Sequence, residues 1–194
     1  MSTSGQSPYH HGDLRNACLV AALELLEEGD ETTLSLREVA RRAGVSPNAP
    51  YRHYADKDAL LAALAVHGYE LLREDLIAAA AQDTDGQLVA MALAYVHFAL
   101  DHPAVFRLMF GHPCNRTRPD VKDAANATNA VLAEQIRGTA PKAEAEVFLL
   151  GVWAIVHGLA TLILDGKIAS DKPRAMEALV TDVVRTMTGR RRHR

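Results

Sequence analysis

A chain of 194 residues, 48% hydrophobic and 23% charged, is long and apolar enough to bury a core, which excludes an intrinsically disordered segment. Its net charge of −3 excludes attraction to DNA through overall basicity, so any such contact needs a local patch. Two cysteines, Cys18 and Cys114, far apart and in no metal-like spacing, exclude a disulfide scaffold and fit a reducing cytoplasm.

Residues 1–8 are polar, lack the apolar core of a signal peptide and are predicted to be a mobile tail. His10 and His11 follow, read as surface histidines with metal or phosphate binding as the alternative. Asp13 is predicted to cap a helix running to Leu26, with Leu14, Ala17, Cys18, Ala21, Ala22 and Leu25 on one face. Gly29 ends it. Ser35 caps a second helix to about Ala43, and Glu38 three residues on completes a capping box. Gly44 supplies the tight turn. Ser46 caps a third helix with Pro47 at its first position, predicted to run to Tyr54. Asp56 caps the next, and Lys57 to about Ala81 reads as one long helix.

Two short helices joined by a glycine turn are the helix-turn-helix plan, whose second helix enters the major groove. Asn48 can pair with adenine and the Ala49 methyl can touch thymine, while Tyr51, Arg52, His53 and Lys57 can reach phosphates. From Ser35 to Lys57 there are five cations (Arg37, Arg41, Arg42, Arg52, Lys57) and two acids (Glu38, Asp56), a local net of +3. The same pattern also describes an ordinary helical hairpin with a solvated basic face.

Further helices are predicted over Asp85–His102, Pro103–Phe110, Asp120–Arg137, Val147–Leu164 and Arg174–Met187, with Gly111–Pro119 a loop and residues 190–194 a basic tail. Strand-like alternation is essentially absent, so the fold class is all-α. The run Val147–Leu164 carries no charge and has the length of a membrane span. Its flanks, Glu146 and Asp165, and its interruption by His157, Gly151, Gly158 and Thr161 favour a helix covered on one side by its own core and on the other by a second subunit. Val152, Ile155, Leu159 and Ile163, with Leu179 and Val183 on the last helix, are the candidate homodimer contact. Tyr95, Phe98, Phe106, Met109, Phe110, Trp153 and His157 are candidates to line a pocket for a largely apolar small molecule; each is also an ordinary core residue by type.

The segments YHHGDLRNA, LSLREVARRAGVSPNAPYRHY and DKDALLAAL, spanning about Tyr9–Gly68, resemble the TetR/AcrR family of bacterial transcriptional regulators. HPAVFRLMF and Trp153…His157-Gly158 are similar to the C-terminal type named for its Trp-His-Gly signature. The resemblance implies an N-terminal three-helix unit (9–81, including the linking helix 57–81) and a C-terminal ligand-binding and dimerisation domain (82–189). It implies a cytoplasmic homodimer that binds a palindromic double-stranded operator and is released by a small effector. By the same resemblance Ser35 contacts the DNA backbone, Tyr51, His53 and Lys57 contact phosphates, and Pro47, Asn48 and Ala49 face bases. Pro50 departs from the usual aliphatic residue and is expected to kink or shorten the recognition helix.

No enzyme is expected, nor a metal or cofactor. A metal-binding enzyme would have to draw on His97, His102, His112 and Cys114. His97 and His102 lie about 140° apart round a helix, and no nucleophile–base pair or phosphate loop is visible. A helical dimeric interaction module without DNA binding is the remaining alternative.

Overall fold

The computed structural model describes residues 11–29, 32–81, 86–112, 117–137, 142–168 and 173–189. The terminal tails, His10 and Cys114 lie outside them. Among the described residues the fold is all-α, with eight α-helices: α1 (His11–Glu28), α2 (Leu36–Arg42), α3 (Lys57–Ala80), α4 (Gln87–Asp101), α5 (Pro103–Gly111), α6 (Pro119–Ile136), α7 (Lys142–Leu164) and α8 (Pro173–Met187). Asp13 falls inside α1 rather than before it, so the predicted cap sits in the first turn instead.

Local chemistry fixes the ends of α2. Ser35 is extended, and its Oγ accepts the Glu38 N–H at 3.2 Å. The Glu38 carboxylate turns to Arg41 Nε at 3.0 Å rather than back to Ser35, so half of the predicted capping box forms. At the other end Gly44 takes φ 67, Val45 N–H donates to Ala40 C=O at 3.0 Å and Gly44 N–H to Arg41 C=O at 3.3 Å. This Schellman closure satisfies the carbonyls the helix leaves open.

The segment after the turn is not the helix expected over 47–54. Ser46 C=O accepts from Ala49 N–H at 2.9 Å, and a single 3₁₀ turn follows over Pro50–Arg52. Proline explains this. It has no N–H to offer Ser46, and its ring crowds the carbonyl four residues back. The recognition element is therefore one tight turn, held to α1 by the Tyr54 hydroxyl donating to Arg15 C=O at 3.3 Å.

Asp56 caps α3, its Oδ1 accepting Ala59 N–H at 2.8 Å. The helix is about 36 Å long at 1.5 Å per residue. Its first turns pack on α1, and its length packs on α4, α5 and α6. Leu61, Leu64, Ala65, Leu72 and Leu76 are all buried within one continuous core that runs from Leu14 in α1 to Val184 in α8. α4 and α5 meet at 104° across His102-Pro103, where the ring of Pro103 cannot continue the ladder of α4. At Gly68 an added Cβ would lie 2.5 Å from Val105 Cγ1 and 2.6 Å from Met109 Sδ, so α3 and α5 touch almost backbone to side chain.

Glu144–Leu164 in α7 is long and apolar enough to cross a membrane. One face of α7 is buried in the chain's own core through Val152, Val156, Leu159 and Ala160, against α4 and α8. Val152 and Leu159, expected at a subunit contact, thus face inward. The outward face carries Val147 at 72%, Leu150 at 59% and Leu162 at 44% exposure. Between them lie Gly151, Ala154 and Gly158, with open space around both glycines. Ile155, Ile163, Leu179 and Val183 are half-buried at its margins.

Candidate nucleic-acid interface and ligand cavity

On the helix-turn-helix surface Ser35, Arg37, Ser46, Pro47, Asn48, Tyr51 and Arg52 are exposed. Ala49 is not: it is buried with Pro50 in the core, so it is removed from the residues able to face a base. His53 is half-buried, and its Nε2 is buried with no partner among the described residues. That nitrogen cannot reach a phosphate from this conformation. Lys57 Nζ donates to Thr32 C=O at 3.5 Å.

The cations divide into two groups. Arg41 pairs with Glu38. Arg42 pairs with Glu24 at 3.2 Å and Glu28 at 2.9 Å, both from α1. The Arg42 hydrogen bond holds the Glu28 carboxyl below the usual carboxylate range. Arg37 and Arg52 make no ion pair among the described residues. The local net of +3 seen along the sequence therefore overstates the patch, because two acids from another helix cancel part of it.

The second site is a cavity of about 310 Å³, open on one side and lined by five helices. Tyr69, Leu72 and Leu76 of α3 form one wall, with Leu88, Met91 and Tyr95 of α4 beside it. Met109 and Phe110 of α5 and Val152 and Trp153 of α7 close it. The α6 wall, Val121, Ala125, Thr128 and Leu132 with Lys122 and Asn129 at its rim, was not foreseen from sequence. Of the expected lining residues, Tyr95, Met109, Phe110 and Trp153 reach the cavity. Phe98 does not; it is buried with its ring 5.2 Å from His102. Phe106 and His157 sit behind the wall, stacked at 5.4 Å.

His157 is ringed by Tyr95, Phe106, Phe110 and Trp153. Its Nδ1 lies 2.9 Å from the Tyr95 hydroxyl. Burial pushes the His157 pKa down and the Tyr95 pKa up, so both are neutral at physiological pH. Trp153, one turn before His157 on the same face of α7, has a smaller, opposing effect on the Tyr95 pKa. The Trp-x-x-x-His spacing thus sets the Trp153 ring 5.5 Å from the imidazole that holds this buried tyrosine. Tyr69, its hydroxyl pushed up to about 12 by burial, donates to Met109 C=O at 3.4 Å. Thr128 Oγ1 donates to Tyr69 C=O at 2.9 Å and to Ala124 C=O at 3.0 Å.

Two contacts join the two sites. One is the close packing of Gly68 on α5. In the other, Glu27, near the C-terminus of α1, accepts the Ala104 N–H at 3.3 Å and the Val105 N–H at 3.5 Å at the start of α5. No local pattern signals this cap, because Glu27 lies far from α5 along the chain.

A helix-turn-helix surface joined through a shared long helix to a largely apolar cavity is the architecture of a helical regulator. Residues 19–64 match the family of bacterial regulatory proteins described as the tetR family, and residues 88–187 match the tetracyclin repressor-like, C-terminal domain. The chain belongs to the TetR family, a class of DNA-binding transcriptional regulators and not of enzymes. It is similar to an uncharacterized HTH-type transcriptional regulator of Haemophilus influenzae, 34% identical over 98 residues, covering 49% of this chain and 48% of that one. The chain spans about half the length of the curated relatives it matches. A solved protein of unknown function from Rhodococcus sp. RHA1 superposes with a TM-score of 0.80 at 33% identity, covering 95% of this chain and 98% of that one. A tetR-family regulatory protein from Rhodococcus RHA1 shares the fold, with a TM-score of 0.68 at 21% identity over 90% of this chain and 96% of that one.

Proposed function

We propose that this chain is a cytoplasmic, homodimeric transcriptional repressor that binds a palindromic double-stranded DNA operator and releases it when a small, largely apolar effector fills the cavity. The observation that carries this reading is the sharing of α3 and α5 between the two sites. Tyr69, Leu72 and Met109 touch the cavity, while the start of α3 carries Lys57 and the start of α5 is capped by Glu27. An effector that shifts α5 would move α1 and α3 together. Two recognition elements must sit about 34–36 Å apart to read successive half-sites, so a small tilt of α3 in each subunit spoils the fit. Linkage then requires effector and operator to weaken each other reciprocally.

A second copy is invoked to cover the outward face of α7. Its small residues allow close helix approach, and an apolar groove between α7 and α8, lined by Val147, Ile155, Val184 and Met187, continues it. Ser35, Arg37, Tyr51, Arg52 and Lys57 are proposed to contact the DNA backbone, with Ser46, Pro47 and Asn48 nearest the bases.

Selection of genomic fragments by the purified protein tests the DNA reading; the expected product is a fragment with inverted half-sites. Recovery of no fragment above background would overturn it. Ala154→Glu, on the outward α7 face, is expected to give a folded monomer by sedimentation with lost operator binding. A dimeric Ala154→Glu protein would remove α7 from the interface.

A further inference from the structure

We infer that the cavity takes an amphipathic acid, with an apolar body inside and one anionic group held at the mouth by Lys122. The inference rests on the cavity being the effector site.

The body is apolar because the walls are mostly aliphatic and aromatic and the interior hydroxyls are already hydrogen-bonded within the protein. The Tyr95 hydroxyl is held by His157, the Tyr69 hydroxyl by Met109 C=O, and the Thr128 hydroxyl by two carbonyls. A polar body would give up its bonds to water and have to compete with these internal bonds. Of these three side chains, only Tyr95 is a lining candidate from sequence, and its hydroxyl is bonded within the protein.

The head is anionic because of the charge at the rim. The lining contains no carboxylate, and its one formal charge is Lys122, exposed in the first turn of α6. Lys122 makes no ion pair among the described residues. The acid two residues before it, Asp120, is held by Arg118 at 2.9 Å. Asp123 is one residue on, about 100° round the helix, and is not part of the lining. Asn129 lies two turns further along the same stripe, and His112 closes the rim from the end of α5. The Asn129 amide can donate to an oxyanion. Apolar walls beside a cation strengthen its field over that in open water. An amphipathic cation would meet Lys122 with no acid to balance it.

The test is calorimetric titration of the full chain with three probes of equal chain length: decanoate, decanol and decylammonium. Decanoate is expected to bind roughly fivefold more tightly than decanol, and decylammonium more weakly than either. Lys122→Gln is expected to bring decanoate down to the level of decanol while leaving decanol unchanged, and Lys122→Arg to restore the difference. Equal binding of decanoate and decanol, or an unaltered decanoate affinity in Lys122→Gln, overturns the acid while leaving an apolar effector cavity. Failure of all three probes to bind overturns both the acid and the effector reading.

Discussion

The two ends of the molecule treat polar groups in opposite ways. In the helix-turn-helix unit the charges are at the surface and partly neutralised: Glu24 and Glu28 reach across from α1 to hold Arg42, and Glu38 of α2 holds Arg41. In the C-terminal half the hydroxyls of Tyr69, Tyr95 and Thr128 are inside and bonded to protein, so the space they surround is chemically apolar. One region is a cationic surface trimmed by its neighbours, the other a cavity whose polarity has been absorbed by its walls. The lesson is that neither binding surface can be read from the residue types present. What counts is which charges and hydroxyls remain uncommitted after packing.

The largest expected effect lies where the two regions touch. Gly68→Val would push a branched side chain into Val105 and Met109, and overpacking of this kind costs about 1–3 kcal/mol. Urea unfolding should show a lower midpoint at an unchanged slope; an unshifted midpoint would mean that α5 can retreat freely and that the two regions are loosely joined.

Next comes the division among the arginines. Arg52→Ala is expected to weaken operator binding severalfold and to lower the salt slope by about one, as loss of one phosphate contact does. Arg42→Ala should weaken it less, because its charge is already matched by Glu24 and Glu28. Equal losses in a fluorescence-anisotropy series would break the distinction between committed and uncommitted cations.

Glu27→Ala removes a carboxylate from the start of α5, a contribution of about 0.5–1 kcal/mol. Its sharper consequence is on communication. Decanoate binding to the cavity should be unchanged, whereas the fall in operator affinity that decanoate causes should shrink. An undiminished response would place the coupling wholly on α3.

The smallest effect is on pH dependence. Burial lowers the His157 pKa, so the unfolded chain binds more protons than the folded one once pH falls toward the free histidine value of about 6.5. The stability from keeping His157 neutral is fully present above that value and is lost as pH drops through the interval below it. Melting temperatures of wild type and His157→Asn should therefore converge as pH falls. A constant difference across that interval would count against a buried neutral imidazole.

Much of the fold was legible in the sequence because helix ends are local chemistry. Ser35, Gly44, Asp56, Pro103 and Pro119 each mark a boundary within a residue or two of the observed one. Less of the candidate site was legible. Tyr95, Met109, Phe110 and Trp153 lie on the cavity, as their bulk and periodicity suggested, but Phe98 and Phe106 are equally bulky and fill core. The α6 wall was hidden because that helix is polar overall, and Lys122 reads as one more solvated lysine until α3 and α5 are placed beside it.

The sequence by itself determined the order of the helices, the glycine turn of the DNA-reading unit, the break that Pro50 brings to its second helix, and the family. All of these depend on interactions within about one helical turn, where chain neighbours are also spatial neighbours. Tertiary structure alone decided how each helix is rotated about its axis. A helix as uniformly apolar as α7 carries no periodic sign of which face is inside, so only packing assigned Val152 and Leu159 inward and Val147, Leu150 and Leu162 outward. For the same reason only packing brought Glu24 and Glu28 to Arg42, Glu27 to α5 and Lys122 to the cavity mouth. These partners are far apart along the chain, and their meeting depends on the docking of whole helices.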